Sequence, residues 1–446
     1  MKALKSAVIC VFVLILILPL VFFNFEKDAI SEIDNRKLTE LTFPSNVDKT
    51  THLENYFNDR IGFRDKIITA YTVLNDKLFG KMTHPSYTYG KDGYVFGSGI
   101  TIGDNFSDYH VTFANMVKSI QNYCQERNVP FIFVFNPAKP AVYQDKIASG
   151  INYNRSWVDK FFNELDIRGV NYIDNTVTLK ELRDSGVDGF NVKYDANHWN
   201  AVGAFYGTNK VLQTLKDMNV NIHVNSADEF EVSSEHKDTL LVSNFPIDED
   251  VPVYSTKNPT HAYLTNEYSS INLDSRYMGF QYFVNQKRKD EGSCKCLVFQ
   301  GSYMNNYGMS FFVNAMGEYI LVHDYQNVID FPYYYNIFKP ECVVFEVAEY
   351  TFNDTYFEQE SMEKINYNPV LFNTNYQTVS VDLNNLKVVS QDKTLTTIEY
   401  ITTANHDYVW LETCEIFDMK KSENGYQVTI ETAKFTDVAT AKVYVL

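Results

Sequence analysis

A serine occupies the position where an apolar segment changes into a helix-compatible one. Cys296-Leu297-Val298-Phe299 indicates a buried strand, Gln300-Gly301-Ser302 follows it, and residues 305–315 are compatible with a helix. A serine on a strand-to-helix turn presents its hydroxyl at the carboxyl edge of a sheet, beside helix N-terminal amides that can hold an oxyanion. Ser302 is therefore a candidate nucleophile for acyl transfer, although a helix cap is the common role of serine at such a turn.

An aspartate and a histidine three residues apart, Asp195 and His198, precede a second segment with helical spacing. Trp199-Asn200 come next, and residues 201–205 begin an amphipathic helix. A serine hydroxyl is a poor nucleophile until a base removes its proton, and an imidazole base works best when a carboxylate fixes its tautomer. This segment could supply both groups. The alternative is that Asp195 caps the helix while His198 and Trp199 pack in the core.

Alternating strand and helix signals predict an α/β fold. Continuous apolar segments such as Phe131–Phe135 have the composition of central parallel strands, which helices cover on both faces. Segments with helical spacing separate them, so we predict a doubly wound parallel sheet. Residues 219–292 break the pattern and predict a β-rich insertion, and the Thr-, Val- and Tyr-rich alternation after residue 366 predicts a small C-terminal antiparallel β unit. The other strand candidates are residues 94–96, 170–174, 296–299, 319–322 and 342–347.

Six motifs follow one another along the chain: Asn58–Asp65, Gly90–Phe96, Asn136–Lys139, the Asp195 segment, the Ser302 segment and Lys339–Tyr350. In these motifs and their order the chain resembles the SGNH-hydrolase-like proteins of alginate O-acetylation and the related DHHW family of Gram-positive bacteria. The resemblance implies a Ser-His-Asp triad of Ser302, His198 and Asp195 on a flavodoxin-like α/β sheet. Two positions depart from the family pattern: Gln300-Gly301-Ser302 replaces Gly-Asp-Ser or Gly-Thr-Ser, and the Asp195–His198 spacing is one residue longer, as in the wider SGNH class.

The oxyanion hole and substrate pocket are less clearly indicated. The Ser302 backbone amide is the first candidate donor. Asn136, Lys139 and Asn305 are further candidates, and turn or surface roles are the common alternative for such residues. The pocket candidates are Gly301, Asn136, Lys139, Asn305, Trp199 and Tyr350.

An apolar stretch of 17 residues, Ala7 to Phe23, follows Lys2 and Lys5 and precedes a charged run. Its length is near the minimum for one membrane-spanning helix, and the N-terminal lysines favour a cytoplasmic N-terminus with the rest of the chain outside the plasma membrane. A cleaved signal peptide is the alternative, but no small-x-small cleavage site follows. We therefore predict a membrane anchor at residues 1–26, a stalk at 27–50, an SGNH-like domain at 51–365 and a β-rich unit at 366–446.

Charge and cysteine content argue against a nucleic-acid-binding protein, a disulfide-built fold and a zinc site. The formal net charge is −17, and no Lys/Arg-rich run follows the apolar stretch, so nucleic acid is not an expected partner. Six cysteines are scattered along the chain, which does not suit a disulfide-built fold. Cys294-x-Cys296 has no second Cys or His pair at zinc-ligand spacing. We expect neither a metal nor a cofactor.

Together these patterns predict an extracellular O-acetyltransferase that acts on a cell-surface or secreted polysaccharide through an acyl-serine intermediate. The family resemblance implies that a membrane-bound O-acyltransferase partner delivers the acetyl donor. Two alternatives stay open from the sequence: an esterase that removes the same groups, and a non-catalytic glycan-binding or assembly protein of an exopolysaccharide system.

Overall fold

The computed structural model describes residues 2–31, 36–42, 48–84, 86–97, 99–100, 103–241, 245–271, 273 and 279–446. Residues 32–35 and 43–47 of the predicted stalk lie outside the described residues, as do residues 242–244, 272 and 274–278 of the predicted insertion. The N-terminal helix α1 is exposed, and Leu4–Val21 within it has the length and composition of a membrane span or a signal sequence. The N-terminal elements are α1 (Lys2–Val21), β1 (Ile30–Ser31), β2 (Arg36–Lys37), α2 (Lys49–Arg60) and α3 (Arg64–Phe79).

The first half of the α/β domain places strands between amphipathic helices. In β5, side chains alternate between two cores: Phe133 belongs to one and Val134 to the other. A strand with apolar residues on both faces has to be covered on both sides, which explains why helices flank it. The elements are β3 (Tyr87–Tyr89), β4 (Val95–Gly97), α4 (Asp108–Glu126), β5 (Phe131–Asn136), α5 (Lys139–Val142), α6 (Ser156–Ile167), β6 (Tyr172–Asp174), α7 (Asn175–Asp184) and α8 (Ala201–Asp217).

The second half completes the sheet around its two central strands. Strand β11 pairs in parallel with β12 and with β13, and β13 pairs in parallel with β5, so the carboxyl ends of these strands lie at one edge. The elements are β11 (Lys295–Gln300), a π-helical turn (Met304–Gly308), α10 (Met309–Ala315), β12 (Glu318–His323), α11 (Tyr325–Ile329), α12 (Phe331–Phe338), β13 (Cys342–Ala348) and α13 (Gln359–Glu363).

The region predicted as an insertion contributes two strands to the main sheet. Strand β10 pairs antiparallel with β12, and β9 pairs antiparallel with β10. The order is β6-β5-β13-β11-β12-β10-β9: the strands from β6 to β12 are parallel, as the predicted doubly wound sheet requires, and β10 and β9 add an antiparallel edge. Strand β12 would otherwise present an unpaired edge, and β10 supplies its hydrogen-bond partners. The elements are β7 (Phe230–Thr239), β8 (Pro246–Thr256), β9 (Ala262–Thr265), β10 (Phe280–Asn285) and α9 (Gln286–Asp290).

The C-terminal region is β-rich, as predicted. Its seven strands form one antiparallel sheet in the order β14-β20-β17-β18-β19-β16-β15, with a separate apolar core. A buried ion pair connects it to the α/β domain: Arg127, after α4, lies 3.1 Å from Asp418, and its guanidinium stacks 3.5 Å from the Tyr123 ring centroid. The strands are β14 (Gln377–Val379), β15 (Leu386–Gln391), β16 (Leu395–Ile401), β17 (Val409–Glu412), β18 (Ile416–Lys421), β19 (Gly425–Glu431) and β20 (Lys442–Val445).

Replacing Arg127 by alanine should destabilise the protein, because Asp418, which is 7% exposed, would lose its ion-pair partner. We expect the free energy of unfolding to fall by about 3 kcal/mol, measured by urea denaturation. Lys364→Ala removes a solvent-exposed ion pair with Glu360 and should leave the denaturation midpoint nearly unchanged. Equal midpoints for the two variants would contradict a stabilising role for the Arg127–Asp418 contact.

Candidate active site

Three segments that are distant in sequence meet at the carboxyl edge of the main sheet. Ser302 follows β11 and begins the helical segment that continues through the π-helical turn. Tyr350 follows β13, the strand next to β11. Asp195 and His198 lie in the irregular segment before α8, whose first turn is capped by the Asn200 side chain. The paired strands and the capped helix therefore position these side chains.

The contacts among the predicted catalytic residues are within hydrogen-bond distance. His198 Nε2 lies 2.8 Å from Ser302 Oγ, and His198 Nδ1 lies 2.6 Å from Asp195 Oδ1. Ser302 is half-buried, so its hydroxyl group is not sealed in the interior. With Nδ1 protonated and donating to Asp195, Nε2 can accept the serine proton, which is the arrangement that general-base activation of a hydroxyl requires.

Asp195 is held as a buried carboxylate. It is 2% exposed and has a φ of 51°, a left-handed conformation that aspartate tolerates better than most residues. Burial works against its charge, but the charge and hydrogen bonds of His198, together with a bond from Tyr307, outweigh it and lower the pKa of Asp195. Tyr307 donates its hydroxyl to Oδ2 at 3.0 Å. Asp195 can therefore orient the imidazole and stabilise its positive charge.

Tyr350 brings a phenol to the same point. Its hydroxyl lies 2.5 Å from Ser302 Oγ and 3.2 Å from His198 Nε2. The residue is 36% exposed, but burial of its hydroxyl end raises the pKa of Tyr350 far above its usual value. The group therefore stays protonated at neutral pH and can donate a hydrogen bond to Ser302 Oγ while Ser302 donates to His198.

Two other pocket candidates donate their hydrogen bonds to backbone carbonyls. Lys139 is fully buried, and its Nζ donates to the carbonyls of Val95 and Val192 at 2.7 and 2.9 Å. Burial lowers the pKa of Lys139 to about 7. The indole of Trp199 is buried and donates to the Tyr303 carbonyl at 3.0 Å. These two side chains support the loops around the site.

The remaining candidates lie around the serine turn. Gly301 directly precedes Ser302, and its amide donates to Glu346. Asn136 also donates to Glu346, through Nδ2. Asn305 accepts from the Gln300 side chain at 2.7 Å through Oδ1. Gly301 and Asn136 therefore share a buried partner that sequence reasoning did not single out.

Sequence reasoning also missed two phenols of the serine helix. The Tyr303 hydroxyl lies 2.6 Å from the carbonyl oxygens of both Pro137 and Asn197, which joins the serine turn to two loops. Tyr307 belongs to the π-helical turn, and from there its hydroxyl donates to Asp195. The only available signal was the presence of two tyrosines within five residues after Ser302. Within the described ranges, no cluster of three or more His, Cys, Asp or Glu side chains is arranged to hold a metal ion.

One segment of the chain matches a known protein family. Residues 88–261 match the family described as the SGNH hydrolase-like domain of the acetyltransferase AlgX. The predicted family resemblance is confirmed. The matched segment of this SGNH-like chain includes Asp195 and His198 and ends before Ser302. No curated protein sequence matches the chain significantly.

Solved structures show a loose similarity in fold. PatB1 of Bacillus cereus is 14% identical, with 59% of this chain and 95% of that chain covered and a TM-score of 0.46. The O-acetyltransferase domain of Pseudomonas putida AlgJ is 13% identical, with 63% and 98% covered and a TM-score of 0.43. A DHHW family protein from Eubacterium siraeum is 14% identical, with 64% and 96% covered and a TM-score of 0.44.

Asp195→Asn should slow covalent labelling of Ser302 by a fluorophosphonate by about 10³-fold or more. The asparagine amide would favour the imidazole tautomer that carries its proton on Nε2, which then cannot accept the serine proton. The labelling rate is measured by mass spectrometry of the intact chain. Asp188→Asn makes the same change at a carboxylate that accepts from Tyr143, and it should leave the rate unchanged. Equal rates for both variants would contradict the role of Asp195.

Tyr350→Phe should slow the same labelling about 10- to 100-fold, because it removes the phenol O–H beside Ser302 Oγ that can donate to the oxygen of the attacked group as that oxygen becomes charged. Tyr172→Phe serves as the matched control, because it likewise removes a hydrogen-bonded phenol hydroxyl, one that donates to Asp166. A Tyr350→Phe rate equal to that of the control would show that the phenol does not assist the serine.

Proposed function

We propose that this chain is an O-acetyltransferase that transfers acetyl groups to a polysaccharide through an acyl-serine intermediate. The observation that carries the proposal is the continuous set of contacts from Asp195 through His198 to Ser302. The match to the AlgX acetyltransferase domain over residues 88–261 supports the same reaction class.

The proposed first half-reaction acylates the enzyme. His198 Nε2 takes the proton from Ser302 as Oγ attacks the carbonyl carbon of an acetyl ester, and Asp195 stabilises the imidazolium. The tetrahedral intermediate collapses, and its leaving oxygen takes the proton from His198. The Ser302 backbone amide and the Tyr350 hydroxyl are the proposed donors to the developing oxyanion. The product is an acetyl-serine.

The second half-reaction transfers the acetyl group. A glycan hydroxyl gives its proton to His198 Nε2 while its oxygen attacks the acetyl-serine carbonyl. The tetrahedral intermediate then collapses with cleavage of the bond between Ser302 Oγ and the acetyl carbon, and Oγ takes the proton from His198. Water can also attack the acetyl-serine carbonyl. Transfer to sugar rather than hydrolysis therefore depends on whether a sugar hydroxyl or water is bound next to that carbonyl.

The N-terminal helix supports a proposal for the location of the chain and for its acetyl donor. We propose that α1 anchors the chain in the plasma membrane with residues 27–50 as a stalk, so that the SGNH-like domain (51–365) and the β-rich unit (366–446) lie outside the cell. A membrane-bound O-acyltransferase is the proposed source of the acetyl group, because an anchored domain stays close to such a partner.

Ser302→Ala should reduce acetyl transfer by about 10⁵- to 10⁶-fold without changing stability, because a half-buried hydroxyl contributes little to folding. The full chain is incubated with an activated acetyl ester and oligosaccharides, and the acetylated sugar and free acetate are quantified. Ser310→Ala, at a half-buried serine of the same helical segment, is the control. Serine-dependent release of acetate alone would indicate an esterase. No Ser302-dependent product would favour a binding or assembly protein and contradict the proposal.

A further inference from the structure

A buried carboxyl group that the proposed reaction does not use lies directly behind the nucleophile turn. Glu346, in the central strand β13, is 1% exposed. Its Oε2 accepts from the Gly301 backbone amide at 2.9 Å, and its Oε1 accepts from Asn136 Nδ2 at 2.6 Å. One side chain of β13 therefore holds the ends of both neighbouring strands, β11 and β5.

The Asn136 amide is fixed from its other side as well. Its Oδ1 accepts from Asn175 Nδ2 at 2.7 Å, so its nitrogen has to face Glu346. Both partners of the Glu346 carboxyl are thus N–H donors. An ionised carboxylate accepts from both, whereas a protonated carboxyl would direct an O–H towards an N–H or lose one contact.

The surroundings work against this charge. Burial raises the pKa of Glu346 to about 7, although the bonds from Gly301 and Asn136 and the charge of His198 act in the opposite direction. A second buried carboxyl, Asp324, flanks Gly301, with one oxygen 3.1 Å from the position that a Cβ on Gly301 would occupy. The titratable groups facing this region are Asp324, His198, Tyr303, Tyr319 and Tyr350.

Asp324 differs from Glu346 in its contacts. Among the described residues, no side-chain amide holds its carboxyl group as Asn136 holds that of Glu346, and His323 Nδ1 lies 3.3 Å from Oδ1. Burial and the charge of Glu346 raise the pKa of Asp324 well above its usual value, although the backbone amides of Tyr325 and Asp324 act in the opposite direction. Burial therefore drives Asp324 towards its neutral form.

We propose that Glu346 is a positioning residue for the nucleophile: its ionised carboxylate holds the Gly301 peptide and the Asn136 amide, and so keeps Ser302 in line with His198. The inference rests on the proposed acylation of Ser302. The Gly301 peptide is the covalent neighbour of the nucleophile, so a displacement of that amide moves Oγ and the Ser302 amide together. Displacements of about 1 Å in such arrangements cost rates of about 10²-fold.

The rate of acylation should therefore depend on the protonation of two groups, His198 and Glu346. Acylation requires a neutral His198 as base and an ionised Glu346 as support. The logarithm of the acylation rate should therefore rise with pH at a slope above one on the acidic limb. Without Glu346, the slope should fall to one, because only the imidazole still has to lose a proton.

The test compares wild type with Glu346→Gln in the full chain. The amide has one acceptor oxygen and directs its NH2 group at an N–H donor, so one of the two contacts is lost. The rate of Ser302 labelling by a fluorophosphonate is followed from about pH 5 to 9. We expect the variant to react about 10- to 100-fold more slowly at the alkaline plateau, with an acidic slope of one. Asp324→Asn is the control. It replaces a carboxyl group by an amide of nearly the same shape as the protonated acid, and it should keep the wild-type slope of the acidic limb.

Thermal unfolding tests whether Glu346 ionises within the folded protein. An acid whose pKa is raised on folding stabilises the fold at low pH, and that stabilisation is lost as pH rises from about 4.5 through about 7. The Tm of wild type should therefore fall relative to that of Glu346→Gln over this range. A folded variant with the wild-type rate and slope would overturn the inference alone. A wild-type chain whose Ser302 does not react at all would overturn the proposed function and this inference with it.

Discussion

The site depends on one contact, the hydrogen bond between the His198 imidazole and the Ser302 hydroxyl. Its two partners are separated by 104 residues and arrive from different layers of the domain. Ser302 is placed by strand β11, and His198 by the segment that leads into α8. Neither segment can hold the contact alone, so the geometry of the site is a property of the packed sheet and its helices.

Buried polar groups are concentrated at the same edge of the sheet. The central strands are apolar along their length, and the polar side chains Asn136, Glu346 and Asp324 come at or near their carboxyl ends. Burying carboxyl groups costs free energy unless each finds a partner. Asp195 and Glu346 each accept two or more hydrogen bonds, whereas burial drives Asp324 towards its neutral form. The packing around the main sheet is therefore partly polar at this edge.

The parts outside the α/β domain are joined to it in different ways. The C-terminal sheet has its own apolar core, and its Asp418 contacts Arg127 and the Tyr123 hydroxyl of the domain. The strands β9 and β10, in contrast, continue the main sheet itself. Strand pairing makes β9 and β10 part of the same folding unit as the main sheet. The contact of the C-terminal sheet with the domain resembles a docked interface between two cores.

The local chemistry of the site could be predicted from the sequence. The strand-to-turn pattern before Ser302, the Asp195–His198 spacing before a helix and the apolar segments of the central strands depend on short-range periodicity and turn chemistry, which a single sequence displays. Tertiary packing decided the rest. Three kinds of contact join residues tens to hundreds of positions apart: the pairing of β10 with β12, the bonds from Lys139 and Trp199 to backbone carbonyls, and the contacts of Tyr307 and Glu346. Side-chain direction at such positions depends on which surfaces exclude water together, and no local pattern encodes that.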